Sequence, residues 1–198
     1  MATHYDHITA KKFEKYAATE FGNKYPLDLE KFEKYFGEGK NVLEIWCGWG
    51  RLGRFLIKKY NYIGIDIHKP YLEYFRDYLN KNEFLYDKET IVDCSILNYS
   101  GKNFDIILFP WTVIGDIPMK DQILIFKRCK KMLNKNGVIL LDNPAKETKY
   151  SEAKNYKPTK FYYENRKDKF SDFGFTKHDY IKYKTLTEKI REIVILKH

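Results

Sequence analysis

The sequence has few of the features that mark membrane, secreted or metal-binding proteins. Its three cysteines are widely spaced and odd in number, which suits a reducing compartment and gives no pattern of zinc ligands. No apolar run approaches the ~20 residues that a membrane helix needs. The N-terminus lacks the basic and then apolar order of a signal peptide. We therefore expect a cytoplasmic protein that binds no metal ion and contacts no membrane.

The patterns of several kinds of catalysis are also missing. The chain has no Ser-His-Asp order, no phosphate-binding loop, no internal repeat and no low-complexity tract. Its 198 residues, of which 43% are hydrophobic, suffice for one well-packed core and are few for two. We predict a single domain over residues 1–198.

Positive charge is abundant, with a formal net charge of +9. Residues 146–184 carry eleven Lys or Arg and six Asp or Glu, so acids interrupt the basic residues throughout. Such interleaving is typical of a solvated face rather than of a stripe that binds phosphates. Nucleic acid is therefore not the expected partner, although the positive net charge leaves it open as an alternative.

Short apolar segments alternate with amphipathic ones along most of the chain. We predict strands over 42–46, 62–66, 90–93, 104–109 and 138–142, and helices over 9–19, 29–36, 51–60, 70–80 and 120–133. Asp28 is the expected cap of the second helix, and 134–137 a turn before the fifth strand. This alternation predicts an α/β fold with a doubly wound, mostly parallel sheet. Residues 161–173 predict a further helix, and 175–183 and 189–196 a C-terminal antiparallel hairpin that completes a seven-stranded sheet.

The first strand runs into a glycine-rich turn and then a helix. The segment reads Glu44-Ile45-Trp46-Cys47-Gly48-Trp49-Gly50. Units of this kind bind nucleotide-like ligands, because the glycine backbone and the helix N-terminus lie against the ligand. The segment resembles motif I of the class I (Rossmann-like) S-adenosylmethionine-dependent methyltransferases, whose pattern is acid-x-Gly-x-Gly-x-Gly. Residues 104–107 and 132–140 resemble the family's fourth strand and the approach to its fifth, so the resemblance covers about residues 40–198.

The resemblance implies S-adenosylmethionine as cofactor and S-adenosylhomocysteine as product. It implies that Asp66, 18 residues after Gly48, binds the ribose hydroxyls and that Ile67 lies against the adenine. Asp93 would accept a hydrogen bond from the adenine amino group, and the backbone N–H of Cys94 would donate a hydrogen bond to the same base. The residues that the resemblance assigns to cofactor binding are Glu44, Trp46, Cys47, Gly48, Gly50, Asp66, Ile67, Asp93, Cys94 and Phe109.

The same resemblance divides the domain into four segments. Residues 1–39 are the expected helical lid, and 40–142 the cofactor-binding core. Residues 143–160 are an expected insertion, and 161–198 the closing helix and hairpin. The lid and the insertion would build the acceptor pocket.

Trp46 departs from the motif, which has glycine at this position. Glycine lets the backbone touch the cofactor because no side chain intervenes. Either the indole turns into the core or the pocket wall, or it fills part of the cofactor space and lowers activity. The sequence leaves both interpretations open.

The expected reaction is an in-line displacement at the methyl group, which needs orientation more than acid–base chemistry. Trp111 and Asp116 follow the fourth strand, which in the family borders the methyl group, and His7 lies in the expected lid. These three residues are the candidate catalytic residues. Asp116 or His7 would act as a base for a protonated acceptor, and aromatic rings such as that of Trp111 would stabilise the sulfonium by cation–π contact. We expect a small-molecule acceptor.

Three alternatives stay open. Residues 48–53 also fit the Gly-x-Gly-x-x-Gly fingerprint of NAD-binding oxidoreductases, although the chain has no second domain to carry hydride transfer. The basic residues leave open an RNA or protein methyltransferase. Trp46 leaves open a catalytically silent domain that only binds the cofactor.

Overall fold

Seven strands form one sheet in the computed structural model, which describes residues 8–111, 113–145, 170, 173–175 and 177–197. Their order in the sheet is β3-β2-β1-β4-β5-β7-β6. In sequence the strands are β1 (Asn41–Ile45), β2 (Asn61–Asp66), β3 (Ile91–Asp93), β4 (Phe104–Phe109), β5 (Leu133–Pro144), β6 (Lys177–Lys184) and β7 (Ile190–Lys197).

The sheet is parallel except at its C-terminal edge. β1 pairs in parallel with β2 and β4, β2 with β3, and β4 with β5. β7 runs antiparallel to both β5 and β6. The predicted mostly parallel, seven-stranded sheet with a closing hairpin is therefore confirmed. The strand order reverses between β1 and β4, and a crevice at the carboxyl ends of such strands is where α/β sheets bind ligands.

Among the residues that the structure describes, five α-helices and one 3₁₀ helix cover the sheet. The α-helices are α1 (Ala10–Phe21), α2 (Leu27–Glu33), α3 (Gly53–Leu56), α4 (Lys69–Lys81) and α5 (Met119–Met132), and the 3₁₀ helix spans Val113–Asp116. The Thr9 hydroxyl caps α1 by accepting a hydrogen bond from the Lys12 N–H at 3.3 Å. None of the described helices is long and apolar enough to cross a membrane.

Both faces of the sheet are buried, as expected for parallel strands. On one face, Leu43, Ile107 and Ile139 pack in an apolar cluster with Phe126 of α5. On the other face, a second cluster joins the strands to α2, α3 and α4, with members such as Phe75. The sheet thus forms a rigid base, and its carboxyl edge is left to carry the site.

Three local predictions were wrong. Asp28 is not a helix cap: Pro26 precedes α2, and the Asp28 carboxylate is buried in an ion pair with Arg51. The predicted helix over 51–60 is α-helical only in α3, with single turns around it. The predicted turn over 134–137 belongs to β5, where the pairing with β4 is irregular and the Asn134 amide donates to Asp105 at 2.6 Å.

Two expected segments fall mainly outside the described residues. The predicted insertion over 143–160 begins while β5 still runs to Pro144, and 146–160 are not described. Of the helix predicted over 161–173, only Phe170 and Phe173 are described, and both pack on Phe126 of α5. These two predictions therefore stay predictions.

Candidate functional site

The turn after β1 takes an unusual backbone path. Trp46, Gly48 and Gly50 all have positive φ, at 57°, 52° and 79°. This left-handed region suits glycine and is strained for residues with a Cβ, so Trp46 holds a conformation that glycine adopts without cost. The resulting turn brings the Gly48 N–H to the carboxyl end of β2.

Asp66 ends β2 and is bound to that turn. Its Oδ2 accepts the Gly48 N–H at 2.8 Å, and its Oδ1 accepts the His68 N–H at 2.9 Å. Burial raises the pKa of this carboxyl above its usual value, although both backbone hydrogen bonds favour the charged form. A carboxylate can accept about four hydrogen bonds, so each oxygen keeps acceptor capacity for a ligand.

Gly48, Asp66 and Ile67 lie together beside the ends of β1 and β2, and we call these three residues the cradle. A Cβ added to Gly48 would stand 3.9 Å from Asp66 Oδ2 and 3.6 Å from the Tyr71 ring, so a larger side chain would cover the carboxylate. Beside it, the apolar Ile67 side chain is 53% exposed. An apolar surface next to a buried carboxylate suits a nucleoside, whose base is apolar on its faces and whose ribose carries two hydroxyls.

The end of β3 contributes a second acid to the cradle. Asp93 is the parallel neighbour of Asp66 in the sheet, and its partly exposed carboxylate lies 3.3 Å from Lys69 Nζ. The expectation for Cys94 needs correction, because its N–H already donates to the Asp66 carbonyl oxygen at 2.9 Å. That hydrogen bond continues the β2–β3 ladder, so the Cys94 N–H is not available to a base.

Gly50 and Cys47 face the interior more than the cradle. A Cβ on Gly50 would overlap the Phe75 ring of α4, so close packing of the helix on the turn explains this glycine. The buried Cys47 side chain packs against Gly64 of β2. The backbone N–H of Cys47 donates a hydrogen bond to the Ile65 carbonyl oxygen. A contact of either residue with the cofactor stays a prediction.

Glu44 lies in the core beneath the turn. It is fully buried and its Oε2 accepts the Tyr62 hydroxyl at 2.6 Å. Burial raises the pKa of the Glu44 carboxyl to about 8, against the opposing effects of the Tyr62 hydrogen bond and the Arg51 charge. Glu44 is therefore protonated at neutral pH and supports the turn from below.

The indole of Trp46 turns toward the face of the sheet that α5 covers. It is half-buried, and its ring lies 5.8 Å from that of Phe109 at the end of β4. The Phe109 ring in turn packs on Phe126 of α5. In this structure the indole thus forms part of the wall between the ends of β1 and β4.

Trp111 joins the end of β4 to α1. Its ring stacks on Phe13 at 4.6 Å and on Tyr16 at 5.7 Å, and it meets the edge of Phe21 at 5.5 Å. The Arg51 guanidinium lies 5.3 Å from the same indole. Trp111 therefore attaches the expected lid to the carboxyl edge of the sheet.

A buried ionic cluster, which sequence reasoning missed, fixes the end of β5. Asp142 Oδ1 accepts the Tyr183 hydroxyl at 2.7 Å, and Asp142 Oδ2 accepts Arg191 Nη2 at 2.6 Å and the Trp111 N–H at 3.2 Å. The signal was a charged residue inside an apolar strand segment. Its partners lie 41 and 49 residues away in sequence for Tyr183 and Arg191, so no local pattern could name them.

Polar contacts that the sequence also did not indicate hold α1 in place. The Glu20 carboxylate accepts hydrogen bonds from Thr187 at 2.7 Å and Lys189 at 2.5 Å, next to the β6–β7 hairpin. Glu14 pairs with Arg54 of α3. Acids on helices are usually solvated, so these two gave no signal in the sequence.

Two candidate catalytic residues cannot be placed. His7 lies outside the described residues, and the side chain of Asp116 is likewise not described, although its backbone belongs to the 3₁₀ helix after β4. Only Trp111 of the three candidates is seen at the carboxyl edge.

Comparison with known proteins identifies the fold and the domain. Residues 42–137 match the family model described as a methyltransferase domain. This span contains the glycine turn, Asp66, Asp93 and the whole of β4. Residues 42–137 therefore form a methyltransferase domain, and the chain has the fold of S-adenosylmethionine-dependent methyltransferases. S-adenosylmethionine is accordingly its cofactor.

Several solved structures share the architecture at low sequence identity. PH0226 protein from Pyrococcus horikoshii has a TM-score of 0.72 at 15% identity, covering 100% of this chain and 99% of that one. Magnesium protoporphyrin IX methyltransferase from Synechocystis was solved with bound S-adenosylmethionine. It has a TM-score of 0.66 at 13% identity, covering 98% of this chain and 94% of that one. An S-adenosylmethionine-dependent methyltransferase from Archaeoglobus fulgidus has a TM-score of 0.64 at 15% identity, covering 86% of this chain and 91% of that one. No curated protein matches the sequence significantly.

Proposed function

We propose that this methyltransferase transfers the methyl group of S-adenosylmethionine to a small-molecule acceptor by in-line displacement. The observation that carries the proposal is the cradle of Gly48, Asp66 and Ile67 at the carboxyl edge of the sheet, with α1 packed nearby on Trp49 and Tyr71. The fit to the cofactor rests on the exposed apolar side chain of Ile67, the buried carboxylate of Asp66 with spare acceptor capacity, and Gly48, whose Cβ would stand between that carboxylate and the Tyr71 ring.

Three residues would hold the nucleoside part of the cofactor. Asp66 would accept hydrogen bonds from the ribose hydroxyls, and Ile67 would lie against the adenine. Asp93, the neighbour of Asp66 across the β2–β3 pair, would accept from the adenine amino group. The cofactor supplies an activated methyl group on a positively charged sulfur.

The chain's own contribution to the reaction is orientation and exclusion of water. Orientation alone can supply up to roughly 7–11 kcal/mol of rate enhancement. The stacked rings of Trp111 and Phe13 close α1 over the ends of β4 and β5, which favours a dry site. No general base is assigned, because a deprotonated acceptor needs none.

A compact acceptor suits this enclosed edge better than a polymer. The helix α1 is held by Glu20, Glu14 and Trp111 at three places along its length, which narrows the approach to the edge. A nucleic acid would need an open and continuously basic surface, whereas acids interrupt the late basic residues.

Calorimetry with S-adenosylmethionine tests the cofactor site first. We expect saturable binding of S-adenosylmethionine and S-adenosylhomocysteine, and no binding of NAD at the same concentrations. An acceptor screen read by mass spectrometry then seeks methylated products. Binding of NAD in place of S-adenosylmethionine would reject the proposal, and cofactor binding without any turnover would favour a silent domain.

A titration of labelled RNA at two salt concentrations separates small molecules from nucleic acid. A protein that contacts RNA phosphates loses affinity with salt at a log–log slope of about −0.7 per contact. We expect weak binding at low salt that disappears at physiological salt. Tight binding that persists there would overturn the small-molecule acceptor.

A further inference from the structure

Two polar side chains end an apolar row on the face of the sheet that α5 covers. Asn143 of β5 lies opposite Glu192 of β7, and the two are 7% and 6% exposed. Opposite residues of an antiparallel pair project to the same face. The pair before them, Leu141 and Val194, belongs to the apolar cluster on this face. Polar groups at the end of such a row require a reason.

The amide oxygen of Asn143 has no hydrogen-bond donor among the residues that the structure describes. A buried acceptor without a donor is unfavourable, and native proteins seldom keep one unless it serves a ligand, a water molecule or strain. The side chain is more than nine-tenths buried, so bulk water does not satisfy it.

The pair borders the candidate site. Leu141 is the parallel partner of Phe109, whose ring lies 5.8 Å from the indole of Trp46 in the glycine turn. Asn143 is two residues further along β5, so its side chain follows Phe109 on the same face toward the carboxyl edge. Aromatic rings and unsatisfied acceptor capacity therefore meet at the ends of β1, β4 and β5.

We propose that Asn143 and Glu192 bind the methyl acceptor and that the acceptor is an amine. This inference rests on the proposed methyl transfer. The oxygens of both side chains accept hydrogen bonds, so they suit a group that carries several N–H bonds rather than a carboxylate or a phosphate. Lys182 lies opposite Glu192 on β6, on the side away from Asn143. An amine bound beside Asn143 would therefore meet Glu192 on its Asn143 side, next to the contacts that Glu192 already makes.

The amine reacts as the free base. Its lone pair forms the new N–C bond to the methyl carbon while the C–S bond breaks and its electrons pass to the sulfur of S-adenosylhomocysteine. The incoming ammonium has lost one proton to solvent before this step, and the product leaves as the methylated ammonium. The aromatic walls at Trp46 and Phe109 would contact the apolar part of the acceptor.

A matched series of acceptors tests the chemical class. The probes are phenethylamine, tryptamine and 1,4-diaminobutane, each beside the alcohol of the same skeleton, with 3-phenylpropanoate as the anionic member. S-adenosylhomocysteine formation is measured by mass spectrometry. We expect turnover of amines and none of the alcohols or the carboxylate. Preference for an alcohol or the carboxylate, or no amine turnover by a chain that binds S-adenosylmethionine, overturns the amine assignment.

Variants separate a binding role from a structural one. Asn143→Leu should raise KM for the preferred amine about tenfold to hundredfold, with the Kd of S-adenosylmethionine unchanged and Tm equal or higher, since an unsatisfied acceptor is removed. Glu192→Gln should also raise KM. Asn136→Leu, at an exposed position of the same strand, is the matched control. A lowered Tm for Asn143→Leu with unaltered KM would make Asn143 structural and reject the inference.

The two proposals fail in different ways. A wild-type chain that does not bind S-adenosylmethionine would reject methyl transfer and the amine acceptor together. A chain that binds the cofactor and methylates the alcohols would reject only the amine.

Discussion

The two halves of the carboxyl edge are built by different means. At the ends of β1 and β2, the turn and Asp66 are held by backbone N–H groups such as that of Gly48. At the ends of β4 and β5, side chains do this work: Asp142 binds Arg191 and the N–H of Trp111. The first half depends on local backbone geometry, and the second on contacts between distant parts of the chain. Substitution of Asp66 should therefore act mainly on cofactor binding, and substitution of Asp142 mainly on stability.

Asp142→Ala should have the largest effect. It leaves the guanidinium of Arg191 buried without its carboxylate, and breaking a buried ion pair in this way costs about 3–5 kcal/mol of the free energy of unfolding. Urea denaturation followed by circular dichroism measures the loss. The S-adenosylmethionine Kd of the folded fraction should change far less.

The exposed pair of Lys184 and Glu188 provides the control for that comparison. Its atoms lie 2.8 Å apart with both side chains largely in water, so Glu188→Ala should change stability by less than about 0.5 kcal/mol. If both variants lost the same free energy of unfolding, the cluster at Asp142 would not stabilise the ends of β4 and β5.

Asp66→Ala should have the next largest effect, on binding rather than on folding. Each charge-assisted hydrogen bond to the ribose contributes about 1.5–3 kcal/mol, and water replaces part of it, so we expect a tenfold to several-hundredfold rise in the Kd of S-adenosylmethionine by calorimetry. Some loss of Tm should accompany it, because the Gly48 N–H loses its acceptor.

Asp93→Ala is the matched control, since Asp93 occupies the neighbouring register position and is partly exposed. We expect a smaller rise in Kd than for Asp66→Ala. An unchanged Kd in a folded Asp66→Ala variant would remove the ribose assignment.

The same division explains what the sequence could predict. The glycine turn and Asp66 lie within one strand–turn–helix–strand unit, so the motif and the family resemblance indicated both from a short stretch of sequence. The hydrophobic periodicity predicted the sheet. The partners of Asp142 come from another part of the chain and follow only from the register of β5 with β7. Asn143 gave no signal because an asparagine near a strand end reads as part of a turn.

Some local predictions failed because tertiary contacts outweighed local propensity. Aspartate is a common residue at helix caps, yet the Asp28 carboxylate is buried in a bidentate ion pair with Arg51. Its two oxygens lie 2.7 and 2.5 Å from the guanidinium nitrogens. The N–H of Cys94 was expected at a ligand, but the extension of the β2–β3 ladder uses it. Backbone groups near a site cannot be assigned until the strand register is known.

Glu44→Gln should flatten the pH dependence of stability. The folded-state pKa of Glu44 is raised to about 8, so between pH 4.5 and 8 the folded state holds a proton that the unfolded state has released. Stability therefore falls as pH rises through that window and levels off above it. The glutamine keeps the acceptor for Tyr62 without titrating, so the variant should lose this part of the fall. Melting temperatures from pH 5 to 9 test it: parallel curves for variant and wild type would contradict the prediction.

Trp46→Gly should have the smallest effect, because two terms oppose each other. Truncating a fully buried indole costs about 3–5 kcal/mol, but Trp46 is half-buried and loses only part of that packing on Phe109. Glycine at φ 57° also relieves roughly 1 kcal/mol of backbone strain. We expect a net loss of about 1–2 kcal/mol with the Kd of S-adenosylmethionine nearly unchanged, measured by thermal denaturation and calorimetry. Trp46→Phe, which keeps a ring against Phe109, should lose less stability. A clear gain in cofactor affinity without loss of stability would show that the indole occupies cofactor space and is no part of the wall.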